Sequence, residues 1–238
     1  MPAGSEYREV FYRTYVSDHQ GEIVEDRSAP AFEADIVARL PKDTTAAVLD
    51  VGCGQGQVVR LLRSRGYRDV RGIDLSGEQV ALAVKLGTER VEQADLFEFA
   101  ASHEGEFDAV VAIDLVEHFD RADVPDLFTS LASLLRPGGT LVLRTPNACS
   151  PYFGRIRYGD LTHGLAYTAR SLQQAAAAAG FRSVQSYPVR PSGTGYKQRA
   201  RRLLWFALEA LMIFPLIVET GSLRGHIVTQ NLVAVATK

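Results

Sequence analysis

Cysteine is scarce: Cys53 and Cys149 are the only two in 238 residues. That excludes a disulfide framework and a cysteine-built zinc cluster, and fits a reducing compartment. Charge of one sign is also missing. Twenty-six Lys+Arg face 28 Asp+Glu, for a formal net charge of −2. A protein held on nucleic acid by charge is usually basic, so no nucleic-acid partner is expected. The opening stretch MPAGSEYREVFYRTY has no apolar signal core, so the expected location is cytoplasmic. No run reaches the roughly 20 apolar residues that span a bilayer. The longest, Leu203 to Val218, is interrupted by Glu209 and Pro215. Repeats are absent, and low complexity is confined to Ala175–Ala179. What is present is an ordinary globular composition, 46% hydrophobic. It is enough for one sizeable core and too apolar for a disordered chain.

The residue pattern reads as a single domain over 1–238. Tyr7, Val10, Phe11, Thr14 and Tyr15 fall near helical spacing, and a second helix over Ala31–Leu40 stops before Pro41. Residues 1–40 are thus expected to form an N-terminal helical cap. From Ala46 short apolar runs alternate with helical stretches. The strands are expected at AAVLDVG, VRGIDLS, ERVEQAD, FDAVVAIDL and TLVLRTP, with Pro137-Gly138-Gly139 as a turn before the fifth. This alternation predicts an α/β fold, a doubly wound parallel sheet covered on both faces. After a long connection over Ala148–Tyr167 come a helix from Thr168 to Ala179, a sixth strand over 181–189 and a final strand over 225–238. Between those strands, residues 190–220 form an insertion: a basic, flexible approach and then an apolar helix.

The sharpest signal is VLDVGCGQG at 48–56, a strand running into a glycine loop and then a helix. Glycine lets the backbone turn tightly and approach a ligand closely, beside a helix N-terminus. A dinucleotide fingerprint needs a third glycine at position 57, which is Gln57, and the Lys-Ser/Thr of a phosphate loop is missing. Asp50 would repel a pyrophosphate and favour a cationic ligand such as a sulfonium or ammonium. Asp74 ends the second strand, where an acidic residue accepts hydrogen bonds from ribose hydroxyls. Asp95 ends the third, placed for an exocyclic amine. Each carboxylate taken alone is more often a helix cap or loop residue; three at successive strand ends read as a ligand rim. Leu96, Ile113 and Leu115 are expected to sandwich a base.

In order and spacing, VLDVGCGQGQ, GIDLS, EQADLFEF, FDAVVAIDLVEHF and LLRPGGTLVLRTPN resemble the motifs of class I S-adenosylmethionine (SAM)-dependent methyltransferases. The resemblance implies a seven-stranded Rossmann-like sheet, order 3-2-1-4-5-7-6, with the last-joined strand antiparallel. It implies SAM as cofactor and S-adenosylhomocysteine as product. Asp50, Gly52 and Gly54 would surround the methionine part, Asp74 the ribose, Asp95 and Leu96 the adenine, and Asp114 the methionine end. Cys53, filling space in the loop, joins Gln57, Leu75 and Gln79 in completing the cofactor-binding set. Three further stretches, FYRTYVSDHQ, RYGDLTHGLAYTARSL and VETGSLRGHIVTQNLVAVATK, are similar to methyltransferases of bacterial cell-surface polysaccharide gene sets. They are also similar to quinone O-methyltransferases.

That resemblance implies in-line methyl transfer. A hydroxyl nucleophile is helped by a general base. His118, just past the fourth strand, is the first candidate, beside a reading in which it orders a loop or the cofactor's carboxylate. Asp160 and His163 in the long connection are the second: they orient a base, or they only hold the loop. Two such residues are too few to assign a metal site. The expected acceptor is a sugar or glycan intermediate, with a quinone or other small molecule as the alternative, and a non-catalytic SAM-binding module as a third reading. The segment 201–218, cationic at Arg201 and Arg202 and then apolar, fits packing on its own domain, a homodimer contact, a lid over the acceptor pocket, or contact with a membrane surface.

Overall fold

The computed structural model describes residues 35–193 and 195–238. Expectations for residues 1–34, including most of the N-terminal cap, lie outside the described residues. Of the helix expected to end at Leu40, the described part holds a single 3-10 turn, Val37–Arg39.

Seven strands form one sheet: β1 (Ala47–Val51), β2 (Asp69–Asp74), β3 (Val91–Gln93), β4 (Phe107–Ile113), β5 (Leu135–Pro146), β6 (Ser183–Pro188) and β7 (Asn231–Thr237). Their order is β3-β2-β1-β4-β5-β7-β6. β1 pairs in parallel with β2 and β4, β2 with β3, and β4 with β5. β7 runs antiparallel to both β5 and β6. This is the doubly wound α/β sheet that the sequence predicts.

Successive strand residues feed opposite cores, as the twofold pleat requires. Leu49, Val110, Leu141, Leu143, Leu232 and Ala234 enter one core, which is closed by α3 (Leu96–Ser102), α4 (Val124–Leu134) and α6 (Ala169–Ala178). Val48, Ala109, Val111, Val142 and Val233 enter the other, closed by α1 (Gln57–Ser64) with Ile36, Leu40 and Tyr67. Strands buried on both faces need apolar residues at nearly every position, which explains why Asp50 is the one polar residue of β1 and Asp108 the one of β4. α2 (Gly77–Lys85) starts at Ser76, whose hydroxyl accepts from Gln79 N–H. α6 opens on a capping box made by Thr168 and Ser171.

Four boundaries differ from expectation. Pro137-Gly138-Gly139 lies within β5 and not before it, because Gly138 N–H and Lys238 N–H tie that stretch to the chain end through Lys238 O and Gly139 O. Residues 225–230 approach β7 without joining it. The long connection contains a short helix, α5 (Phe153–Arg157). Of the basic stretch 191–202 expected to be flexible, residues 196–202 are the first part of α7 (Tyr196–Thr220), a 25-residue helix.

By length and composition α7 is long and apolar enough to cross a membrane. Its one buried residue is Glu209, held by Arg190 in a two-pronged ion pair, Nε–Oε2 2.8 Å and Nη2–Oε1 3.2 Å. Leu203, Leu204, Phe206, Leu208, Leu211, Phe214 and Val218 stand exposed.

Candidate active site

The β1–α1 loop is built from left-handed backbone. Gly52 has φ +71° and Gly54 φ +50°, values that L side chains rarely adopt. At Gly52 a Cβ would also fall 2.9 Å from Leu115 Cδ1. Gly52 and Cys53 N–H groups both donate to the Ile73 carbonyl, at 2.8 and 2.9 Å. Gly54 N–H donates to Asp74 Oδ2 and Ser76 N–H to Asp74 Oδ1, each at 2.8 Å. Asp74 therefore fastens the glycine loop to the start of α2. An ionised carboxylate has about four acceptor sites, so it still has capacity for ribose hydroxyls.

An open cavity of about 230 Å³ lies along this carboxyl edge of the sheet. Gly52, Gly54, Asp74, Leu75, Gln79, Asp95, Leu96, Asp114 and His118 all line it, with Leu115, Phe97 and Phe119. Phe97 and Phe119 meet edge to face with centroids 6.0 Å apart, which stiffens the apolar wall. An adjoining recess takes Asp50, Cys53, Gln57, Ile113 and Arg144, and shares Gly52, Gly54, Gln79 and Asp114 with the cavity. The cofactor-binding set predicted from the sequence thus gathers on these two connected walls. Ile113 belongs to the recess and not to the apolar wall where Leu96 and Leu115 stand. Asp95 acts as a cap: its Oδ1 accepts from Phe97 N–H at 2.8 Å and Glu98 N–H at 3.2 Å, opening α3.

Asp50 is buried within β1, and its Oδ2 has no hydrogen-bond partner. Burial, reinforced by the Asp74 charge, pushes its carboxyl up to about 8. Such a group is stabilised by a cation brought into the recess. Asp114 has φ +49° and pairs with the Arg144 guanidinium, one contact being Nε–Oδ1 at 3.1 Å. The sequence reading missed Arg144, although an arginine in an otherwise apolar buried strand was the available signal. Burial pushes the Cys53 thiol up, so it is an inert filler packed on Gly72.

Beyond β4 the chain forms a 3-10 turn, Val116–His118. Thr162 Oγ1 donates to Asp160 Oδ1 at 2.6 Å and lies 2.9 Å from His118 Nδ1. With that hydrogen committed to Asp160, the imidazole must be the donor to Thr162, which leaves the lone pair on Nε2. Burial, then the neighbouring His163, lowers the His118 imidazolium to about 4, so the ring is neutral near pH 7. His163 lies edge-on to it, centroids 4.7 Å apart. Asp160 therefore reaches His118 through Thr162, a link the sequence reading did not contain. Glu117, also unassigned from sequence, completes a group with His118 and His163 whose ligand-type atoms lie within 4.8 Å of one another. The pair weighed from the sequence, Asp160 and His163, shares only His163 with that group.

Residues 25–186 match the family described as "Methyltransferase domain". A ubiquinone biosynthesis O-methyltransferase of Xanthomonas campestris pv. campestris is 40% identical over 110 residues, 43% of this chain and 44% of the relative. One from Psychrobacter arcticus is 38% identical over 111 residues, 42% of this chain and 40% of the relative. The match spans less than half the length of these curated relatives. Among solved structures, a SAM-dependent methyltransferase from Archaeoglobus fulgidus superposes with TM-score 0.69 at 19% identity, covering 94% of this chain and 99% of that one. A phosphoethanolamine N-methyltransferase 2 of Haemonchus contortus, in complex with SAM, has TM-score 0.59 at 18% identity, covering 95% of this chain and 60% of that one. The strand order, the glycine loop with its orphan carboxylate, and the family match agree: the chain belongs to the methyltransferase-domain family, as a class I SAM-dependent methyltransferase.

Proposed function

We propose that the protein O-methylates a ring hydroxyl of a small phenolic acceptor of the quinone-precursor class. The observation that carries this reading is the Asp160–Thr162–His118 chain, which holds a neutral imidazole in the lining of the cavity that the glycine loop also borders. The names of the relatives at 38–40% identity favour a quinone-type acceptor over the glycan intermediate expected from sequence texture.

SAM supplies an electrophilic methyl on a cationic sulfur. Asp50 would answer that positive charge, Asp74 would hold the ribose, the glycine loop would border the methionine part, and Leu96, Leu115 and Phe97 would exclude water around the base. His118 engages the acceptor hydroxyl, whose proton leaves toward the His118–His163 cluster. The remaining task is alignment of oxygen, carbon and sulfur, which is catalysis by positioning. The test incubates the purified chain and SAM with catechol-type phenols and, separately, with sugar acceptors, and reads S-adenosylhomocysteine. Transfer to phenols is the expected result. Transfer confined to sugars overturns the acceptor class. SAM binding with no transfer to either favours the binding-module reading.

The same reading gives α7 a role at an anionic membrane surface, where a lipid-soluble acceptor would be met. Lys197, Arg199, Arg201 and Arg202 crowd its first turns. Trp205, Glu209, Met212 and Leu216 form its more buried stripe. The exposed apolar side chains cover an arc of about 200° at 3.6 residues per turn. A packed helix partner covers a stripe nearer 100°. A fluid apolar phase bordered by anionic headgroups fits both the wider arc and the cationic end.

A further inference from the structure

Arg144 is held by both its backbone and its side chain. The pairing of β4 with β5 sets Ile113 opposite it. The next residue, Asp114, donates its backbone N–H to the Arg144 carbonyl at 2.9 Å. The Asp114 carboxylate grips the guanidinium of the same arginine. Asp114 has φ +49° here, a left-handed backbone that a non-glycine residue keeps only where its surroundings hold it.

The ion pair is uneven. The Arg144 side chain is 14% exposed and that of Asp114 41%, so the cation lies deeper than the anion that answers it. Charged contacts strengthen where water is excluded, and a second anion reaching that depth is favoured. Burial raises the carboxyls of Asp35 and Glu117, the other acids whose charges bear on Arg144. They keep their protons more readily than usual and add less negative charge beside it. A guanidinium carries five N–H donors in a planar fork, enough to serve two carboxylates.

The recess that Arg144 lines has a second positive feature. Gln57 and Val58 line it too, and they open α1, whose start has no side-chain cap hydrogen bond. Backbone N–H groups at a helix start favour an anion. Opposite in sign is Asp50, buried in the same recess with Oδ2 unpartnered, which calls for a cation. A ligand group that carries both a negative and a positive charge satisfies all three. The α-amino-acid end of the cofactor, with its carboxylate and its ammonium, has this charge pattern.

We propose that Arg144 is a specificity-determining residue which, with the N-terminus of α1, receives the α-carboxylate of the cofactor's amino-acid end. The proposal deepens the cofactor-binding part of the reading above and is independent of the acceptor class. Arg144 selects ligands that keep a free carboxylate. Asp114 is its positioning partner: it presents the guanidinium in a fixed orientation, so little side-chain freedom is lost on binding.

The test is the affinity, measured by calorimetry at pH 7, of three ligands. They are S-adenosylhomocysteine, its α-carboxamide, which keeps the ammonium and removes the negative charge, and 5′-methylthioadenosine, which lacks the amino-acid end. The parent chain should bind S-adenosylhomocysteine about tenfold or more tighter than the carboxamide. Arg144→Met should remove that margin: S-adenosylhomocysteine weakens by about tenfold or more, while the other two ligands bind as they do to the parent. Arg144→Lys, which keeps the charge without the fork, should recover part of the loss. Arg144→Met leaves Asp114 unpaired, so the double variant with Asp114→Asn is measured beside it and should show the same pattern. Equal affinity of the parent for S-adenosylhomocysteine and its carboxamide overturns the proposal and leaves the cofactor site standing. A parallel loss of all three ligands in folded variants also overturns it, because Arg144 then supports the fold alone. A parent chain that binds none of the three overturns the cofactor site and the proposal together. Turnover is not read, so failure of methyl transfer counts against the acceptor reading alone.

Discussion

Thr162 lies between His118 and Asp160 as a one-atom relay: its Oγ1 contacts Nδ1 of the first at 2.9 Å and Oδ1 of the second at 2.6 Å. The relay fixes both the ring orientation and the tautomer. Thr162→Val removes the hydroxyl and keeps the volume, so the ring loses its orientation while the packing around it is kept. The expected outcome is a fall in kcat of about tenfold or more, the cost typical of losing an outer partner that orients a histidine, with SAM affinity unchanged. Thr162→Ser should restore most of the rate. A parallel loss of kcat and SAM affinity, unrescued by serine, would assign Thr162 to the fold alone. His118→Ala should lower kcat further, again at constant SAM affinity.

Asp50 makes SAM binding dependent on pH. Its carboxyl stands at about 8 in the ligand-free protein, so it is mostly protonated at pH 7. A cationic ligand favours the ionised form, so binding expels a proton. Affinity should therefore climb as pH rises from about 5.5 to 7, by up to about tenfold per unit. Calorimetry at pH 7 in buffers of different ionisation enthalpy should register release of close to one proton. Asp50→Asn should bind SAM weakly, with no release and a flat profile.

The same carboxyl has an opposite consequence for the empty protein. Its folded value lies above the unfolded one, near 3.9. The native state therefore holds the proton more tightly, and this contribution to stability is lost as pH rises from about 4 to 8. Asp50→Asn, which cannot ionise, should melt higher than the parent at pH 8 and should lose that advantage at pH 4. Thermal unfolding across this range checks the sign.

The parts of this arrangement that were legible in the sequence are those set by local pattern. β1 reads as a strand because AVLDV must fill two cores at once, and Gly52 and Gly54 read as a loop because their backbone must turn where side chains cannot follow. Asp74 reads from the sequence as a ribose contact, while its hold on Gly54 and Ser76 needs the fold. Asp95, a ligand contact in the sequence reading, lines the cavity and also caps α3, because a carboxylate before LFEF can serve both uses. The contacts that Arg144, Glu117 and Thr162 make were illegible for a common reason. Their partners lie 28 to 44 positions away in the chain, and no periodicity encodes a contact made only when β4, β5 and the long connection meet.

The exposed face of α7 yields the last prediction. Apolar side chains this open to solvent are unusual unless another phase covers them, and Glu209 is already neutralised by Arg190, so the covering phase meets no buried charge. The purified protein should sediment with vesicles containing anionic lipid and bind neutral vesicles more weakly. Leu211→Glu with Phe214→Glu places two carboxylates in the apolar arc and should abolish sedimentation. Arg199→Ala with Arg201→Ala and Arg202→Ala should remove mainly the preference for anionic lipid, at about 1 kcal/mol for each cation near the surface. None of these residues lines the donor cavity, so SAM affinity should remain that of the parent. The competing occupant of this face is a second copy of the chain. A dimer in solution that the paired glutamates dissociate, with no vesicle binding by the parent, would give the face to self-association instead.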